Sequence, residues 1–201
     1  MLAIQKRRHT LSRHTVIACF SLLAVSIGGY ILVLTLSPAL APVIAAHPIA
    51  VKDLDAPRDN RIVIPRLGIN IPYGEGSASL DRGAEWRYPD RGNPADGGNF
   101  IIAAHRFSIQ PTPQGTIDKS PFYAIDRLTT GDKILIDYKG RRYAYQIAKK
   151  FTVAPDQVEI ESPSEEPKLT LYSCSLGGAA DGRIVIVSNR LGEVATTNQS
   201  R

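Results

Sequence analysis

The sequence predicts a mainly β domain behind a single membrane-spanning helix, and three observations carry that reading. From Arg61 onward, short β-branched runs are separated by turn-forming breaks, which hold many of the chain's 14 prolines and 16 glycines. About eight such runs fit into roughly 130 residues, for which a closed or nearly closed eight-stranded β-barrel with one or two short helices is the economical architecture. Ahead of them, Thr15 to Leu36 is a run of 22 residues without a charge. At about 1.5 Å per residue it is long enough to cross a hydrocarbon core of about 30 Å.

Residues 1–14 carry Lys6, Arg7, Arg8 and Arg13 and no acid, which predicts a cytoplasmic N-terminus with the rest of the chain outside. Residues 15–36 read as an uncleaved signal-anchor. Ala39-Leu40-Ala41 fits a cleavage site, but a removable apolar region is usually only about 7–15 residues long. Residues 37–60, with Pro38, Pro42, Pro48 and Pro57, read as a spacer with room for a short amphipathic or extended piece at Val43–Val51.

The barrel is expected over residues 61–191. Arg61–Ile64 and Leu67–Ile71 are short strands interrupted by Pro65 and closed by Pro72, and Gly74-Glu75-Gly76 is a turn. Ser77–Gly83 has the length of one helical turn, capped by Ser77 or Ser79. Arg87–Gly98 is a loop, and Asn99–Ala104 is a buried strand ending at His105-Arg106. Ser120–Leu128 predicts a short helix, with Ser120 as cap, Pro121 at the first helical position and Phe122, Ile125 and Leu128 as its apolar stripe. Lys133–Tyr138 and Arg141–Thr152 form a hairpin around Lys139-Gly140. Val153–Lys168 is a long polar connection. Leu169–Cys174 alternates with period 2 and reads as a strand. It runs out into a flexible Ser175–Gly178 loop, and a further strand opens at Arg183. Residues 192–201 are a polar tail.

The formal charge of +5 does not mark a nucleic-acid binder. Four of the 24 basic residues lie within residues 1–37, which leaves 20 basic against 19 acidic residues elsewhere and no basic face. No metal-ligand spacing and no phosphate-cradling Gly loop is present, so neither cofactor nor metal is implied. The two cysteines, Cys19 in the apolar run and Cys174 beyond it, are separated by the membrane and are not expected to pair. A lone extracytoplasmic thiol at a strand end is better explained by chemistry than by packing.

Such a thiol needs a base or ion-pair partner, because a free cysteine has a pKa near 8.5. His9 and His14 precede or open the apolar run and His47 lies in the spacer, so His105 is the one imidazole of the barrel. It too ends an apolar strand. Arg183 opens the strand after the Cys174 loop and offers a permanent charge with up to five donors. Arg190 is its rival, but the odd separation puts the two on opposite faces of the strand.

These residues resemble the sortase family. Leu169-Thr170-Leu171-Tyr172-Ser173-Cys174 is similar to its TLxTC signature with Ser173 in place of Thr, and Arg183–Val187 to its arginine-led strand. Gly98–Arg106 resembles the family's GN-apolar-AGHR stretch, with Ala104 where Gly is common. Leu80–Ala84, followed by Tyr88-Pro89, resembles the segment ahead of it. The resemblance covers about residues 61–191 and implies a cysteine transpeptidase on an eight-stranded sortase barrel. On that reading Cys174 attacks the Thr–Gly bond of an LPXTG-like signal on a secreted protein. His105 shuttles the proton, and Arg183 holds the oxyanion. The thioacyl-enzyme is resolved by an amine from a peptidoglycan precursor or a pilin lysine. Ala104 and Ser173 flank the site, and Val158 and Ile160 are the apolar members of the loop that the family uses for its substrate groove. A cysteine peptidase that only hydrolyses and a non-catalytic tethered β domain are the alternatives.

Overall fold

A computed structural model of the chain describes residues 12–45, 49–50, 54–57 and 60–194. Among these residues nine strands form: β1 (Arg61–Ile64), β2 (Ile69–Glu75), β3 (Ala84–Arg87), β4 (Gly92–Asn93), β5 (Gly97–Ala104), β6 (Lys133–Tyr138), β7 (Arg141–Val153), β8 (Lys168–Ser175) and β9 (Gly178–Glu193). Their order is β3-β2-β1-β6-β7-β9-β8-β5, and β5 pairs back onto β3, which closes a ring of eight. The two-residue β4 attaches to β5. Gly98 permits that tight attachment: its φ is +79°, and a side chain there would collide with the Arg91 carbonyl. Closure leaves the eight strands without a free edge.

Two pairings are parallel, β2–β3 and β5–β8. The second brings together strands far apart in sequence and builds the site described below. The barrel interior is filled by one face of each strand, including Phe100, Ile102, Leu171 and Ile186, all fully buried. Trp86 packs edge-on to Phe100 at 5.4 Å and to Tyr138 at 5.9 Å. A second, smaller apolar cluster lies on the other face of β5, β8 and β9: Ile101, Ala103, Tyr172 and Val185.

Several elements depart from the sequence expectation. The helix expected over Ser120–Leu128 is a series of turns ending in a 3₁₀ turn at Ile125–Arg127. The Ser120 hydroxyl accepts the Ser108 N–H at 3.0 Å and the Phe122 N–H donates to the His105 carbonyl at 3.1 Å, so these groups brace the neighbouring loop rather than a helix start. Phe122, Ile125 and Leu128 are nevertheless fully buried. The helix lies earlier, at α2 (Pro113–Asp118), where Thr112 caps Gly115 N–H at 3.0 Å and Pro113 takes the first position. Residues 77–81 form a 3₁₀ turn that opens at Gly76 without a serine cap, the Ser79 hydroxyl donating back to the Glu75 carbonyl. The second strand starts at Ile69 and continues through Pro72, and β3 occupies residues not assigned to any strand. The Ser175–Gly178 loop is a tight hairpin, Ser175 pairing with Gly178, so β9 begins five residues ahead of Arg183.

The N-terminal helix α1 runs Arg13–Ala45 and includes Pro38 and Pro42. Its stretch Arg13–Leu40 contains an 18-residue segment of mean hydropathy 2.4 and is long and apolar enough to cross a membrane. Lys6, Arg7, Arg8, His9, His47 and residues 195–201 lie outside the described residues.

Candidate active site

The register of three strands brings His105, Cys174 and Arg183 to one end of one face. In β8, Leu169, Leu171 and Ser173 point into the barrel, so Thr170, Tyr172 and Cys174 face outward. In β5, Ile101 and Ala103 face outward. Ala103 pairs with Tyr172 in parallel register, so the next outward positions beyond that pair are His105 and Cys174. On the other flank Cys174 pairs with Arg183 and Tyr172 with Val185. Cys174 is a free thiol at intermediate exposure, as are the His105 and Arg183 side chains.

The backbone around His105 and Cys174, and the Arg183 side chain itself, are held by neighbouring groups. The Ser173 hydroxyl donates to the Ala104 carbonyl at 2.7 Å, which locks the ends of β5 and β8 together one residue short of the His105–Cys174 level. The His105 carbonyl is held by Phe122 N–H. Arg106, 5 % exposed, anchors the next residue through Asp126 at 2.7 Å. Burial pulls the Arg106 guanidinium below its ordinary pKa, with Asp126 opposing. Arg183 Nη1 donates to the carbonyls of Ala179 (2.8 Å) and Gly182 (3.1 Å), so the hairpin orients the fork.

A cleft of mixed apolar and polar lining lies further along the same outward face. A cavity of about 350 Å³ is lined by Phe151, Val153, Gln157, Glu159, Ile160, Lys168, Thr170 and Val187. Thr170 is four residues before Cys174 on one strand, a span of about 13 Å. The roof is the 3₁₀ turn Val158–Glu161. Asn99 Nδ2 donates to the carbonyls of Ile160 (3.2 Å) and Ser162 (2.8 Å), while Asn99 Oδ1 accepts from Thr170 Oγ1 at 2.6 Å. The Glu161 side chain, 10 % exposed, takes the Tyr172 hydroxyl and an ion pair from Arg87 Nε at 3.0 Å. Arg91 donates to the Glu161 carbonyl at 2.5 Å. Burial, reinforced by Glu161, pushes the Tyr172 phenol well above its usual range, so it stays a donor.

A family model for the sortase domain matches residues 62–191. The chain belongs to the sortase family. Sortase SrtE1 of Streptomyces coelicolor is 30 % identical over 109 residues, a match that covers 50 % of this chain and 28 % of that protein. Among solved structures, sortase A of Listeria monocytogenes superposes with a TM-score of 0.57 at 21 % identity, covering 71 % of this chain and 93 % of that one. Sortase E1 of Streptomyces coelicolor, solved with a tripeptide in its active site, gives 0.54 at 22 % identity, covering 70 % and 92 %. A Clostridium perfringens sortase D5 transpeptidase gives 0.54 at 24 % identity, covering 66 % and 78 %. These likenesses speak to the fold.

In this sortase the residues anticipated as substrate contacts separate into two groups. Ile160 lines the groove, whereas Val158, 63 % exposed, is outside its lining. Ala104 and Ser173, 6 % and 2 % exposed, are on the inner face of the barrel, turned away from the face that carries Cys174. Arg190 is at the other end of β9, donating to the Ala95 carbonyl at 3.1 Å and stacked over the Tyr143 ring at 5.1 Å. The sequence reading missed the groove floor, Phe151, Val153, Thr170 and Val187, and the Glu161 tether. A signal for part of the floor was present: Ile184–Val187 is apolar at consecutive positions, the mark of a strand covered on both faces, and its Val187 lines the cavity.

Proposed function

We propose that this sortase is a membrane-anchored cysteine transpeptidase, with α1 as its anchor, an extracytoplasmic barrel and Cys174 as nucleophile. The observation that carries the reading is the strand register that brings His105, Cys174 and Arg183 to one end of the face on which the cavity lies. An extended peptide advances about 3.3 Å per residue. A chain lying along β8 with its reacting carbonyl at Cys174 therefore places a side chain three or four residues upstream in the cavity floored by Thr170 and Val187. That geometry suits an LPXTG-like signal cleaved between Thr and Gly, its leucine entering the cavity.

The Cys174 thiolate attacks the threonine carbonyl, and the Arg183 guanidinium donates to the oxygen as charge develops there. The carbon–nitrogen bond breaks as His105 gives a proton to the departing glycine amine. The thioacyl-enzyme is then attacked by a second amine, which loses a proton to His105 as the thiolate is expelled. The net change is one amide for another, with no water consumed. The amine belongs to a peptidoglycan precursor or a pilin lysine. Mass spectrometry of sorting-signal peptides incubated with the enzyme and a panel of amines tests this. Amide products that depend on the amine and on Cys174 are expected, and hydrolysis alone with every amine contradicts it. Membrane retention with the barrel open to external protease is expected of the anchor, and a mature N-terminus near Pro42 contradicts it.

A further inference from the structure

We propose that the segment between β5 and α2, residues 107–112, seats in the outer leaflet of the membrane beside α1. The inference rests on the reading of α1 as a membrane anchor.

The length of α1 leaves no slack between bilayer and barrel. From Arg13 to Val33 the helix is exposed throughout. Its hydroxyl contact with the barrel comes at Tyr30, which donates to the Pro111 carbonyl. Leu34, 6 % exposed, and Ser37, whose hydroxyl also reaches the Pro113 carbonyl at 3.3 Å, follow on the same side. Arg13 to Tyr30 is 18 residues, about 27 Å of helix, against a hydrocarbon core of about 30 Å. If Arg13 stays at the inner boundary, Tyr30 falls just inside the outer one, close to the interface where tyrosine and tryptophan are enriched. Pro111, bound to Tyr30, sits at the same depth.

The segment at that depth is chemically suited to lipid. Residues 107–117 contain no charged side chain. Arg106, just before them, is turned inward to Asp126. Phe107 and Ile109 are 39 % and 49 % exposed. Aqueous exposure of two large apolar side chains on an uncharged segment beside a membrane helix is relieved by the outer leaflet itself. Phe107 is two residues after His105, so the seating would hold the His105 end of the barrel close to the bilayer surface.

Tryptophan scanning in the full chain reconstituted into phosphatidylcholine–phosphatidylglycerol vesicles tests this. The native chain has one tryptophan, Trp86, 7 % exposed, whose signal forms the background. Three variants are compared: Ile109→Trp, Leu22→Trp within α1, and Val158→Trp on the groove roof. Ile109→Trp should lose most of its added fluorescence to lipids brominated high on the acyl chain and resist aqueous iodide. Leu22→Trp should respond to deeper bromines, and Val158→Trp to iodide alone. Overturning results are an Ile109→Trp signal quenched by iodide like that of Val158→Trp, or one shielded from both quenchers, which would mean that protein covers the segment. In either case bromine quenching of Leu22→Trp leaves the anchor standing; its absence removes both the anchor and the seating.

Discussion

Cys174 receives its partners from strand register rather than from sequence neighbours. His105 arrives through the parallel β5–β8 pairing and Arg183 through the antiparallel β8–β9 pairing, each on the outward face. The guanidinium is held by two hairpin carbonyls, so its planar fork matters as well as its charge. Arg183→Lys should therefore lower the transpeptidation rate by about 10²–10³-fold, the scale of losing an oxyanion donor. Arg190→Lys, at the far end of the same strand, should leave the rate nearly unchanged. Steady-state kinetics on the two variants checks this, and the reverse pattern contradicts the placement. Cys174 and His105 stood out because each is the lone thiol or imidazole of the barrel sequence at the end of an apolar run, whereas Arg183 had to be chosen over Arg190 by its place after the Cys174 loop. Their supports were not. The Ser173–Ala104 bond joins residues 69 apart, and only the register reveals that both face inward.

At the scale of elements, the groove roof is held by its polar ties rather than by apolar contact alone. Glu161 receives Tyr172 and Arg87 through its carboxylate and Arg91 through its carbonyl. Glu161→Ala should loosen the turn Val158–Glu161, raising peptide KM while the rate of Cys174 alkylation by a small thiol reagent stays as it was. Equal loss of both would mean general unfolding instead. The turn before β6 offers a pH test. Asp132 is partly buried, which alone would raise its pKa, but the Thr129 N–H and the Arg66 guanidinium outweigh this and hold the carboxyl below its usual range. A carboxyl lowered in the folded state stabilises the fold above its unfolded pKa of about 3.9, and that contribution disappears as pH falls through the folded value. Arg66 is half exposed, so the ion pair adds little and the Thr129 bonds dominate. Asp132→Asn should cost about 1 kcal/mol at neutral pH, seen as a lower Tm, with the gap to the parent closing in acid. A gap that persists in acid would exclude the charge as its source.

These elements also mark where sequence reading runs out. The long β-branched strands and the Lys139-Gly140 hairpin were visible in period and turn chemistry. β3 was not, because Ala84–Arg87 is four residues long and owes its strand state to partners on both sides, β2 and β5. The sequence 120–128 has the marks of a helix, yet its Ser120 hydroxyl and Phe122 N–H are engaged by the loop that follows His105. Local propensity yields there to tertiary bonding.

For the whole molecule, closure of the eight-stranded ring makes a rigid frame, and the β6–β7 pair carries a buried two-point ion pair between Asp137 and Arg142 at 2.6 and 2.8 Å. On that frame the candidate site is carried at the ends of three adjacent strands, with His105 one residue beyond β5 and the Arg183 fork oriented by the hairpin that opens β9. The central claim, that Cys174 forms a thioacyl bond that an amine resolves, is tested most directly by intact-mass spectrometry. The full chain in detergent would be mixed with an LPXTG-type peptide, with and without an amine. The account predicts an adduct on Cys174 equal in mass to the peptide through its threonine, absent in Cys174→Ala and lost when amine is added as the ligated product appears. Cleavage of the peptide by Cys174→Ala at the parent rate, with no adduct in either protein, would contradict it.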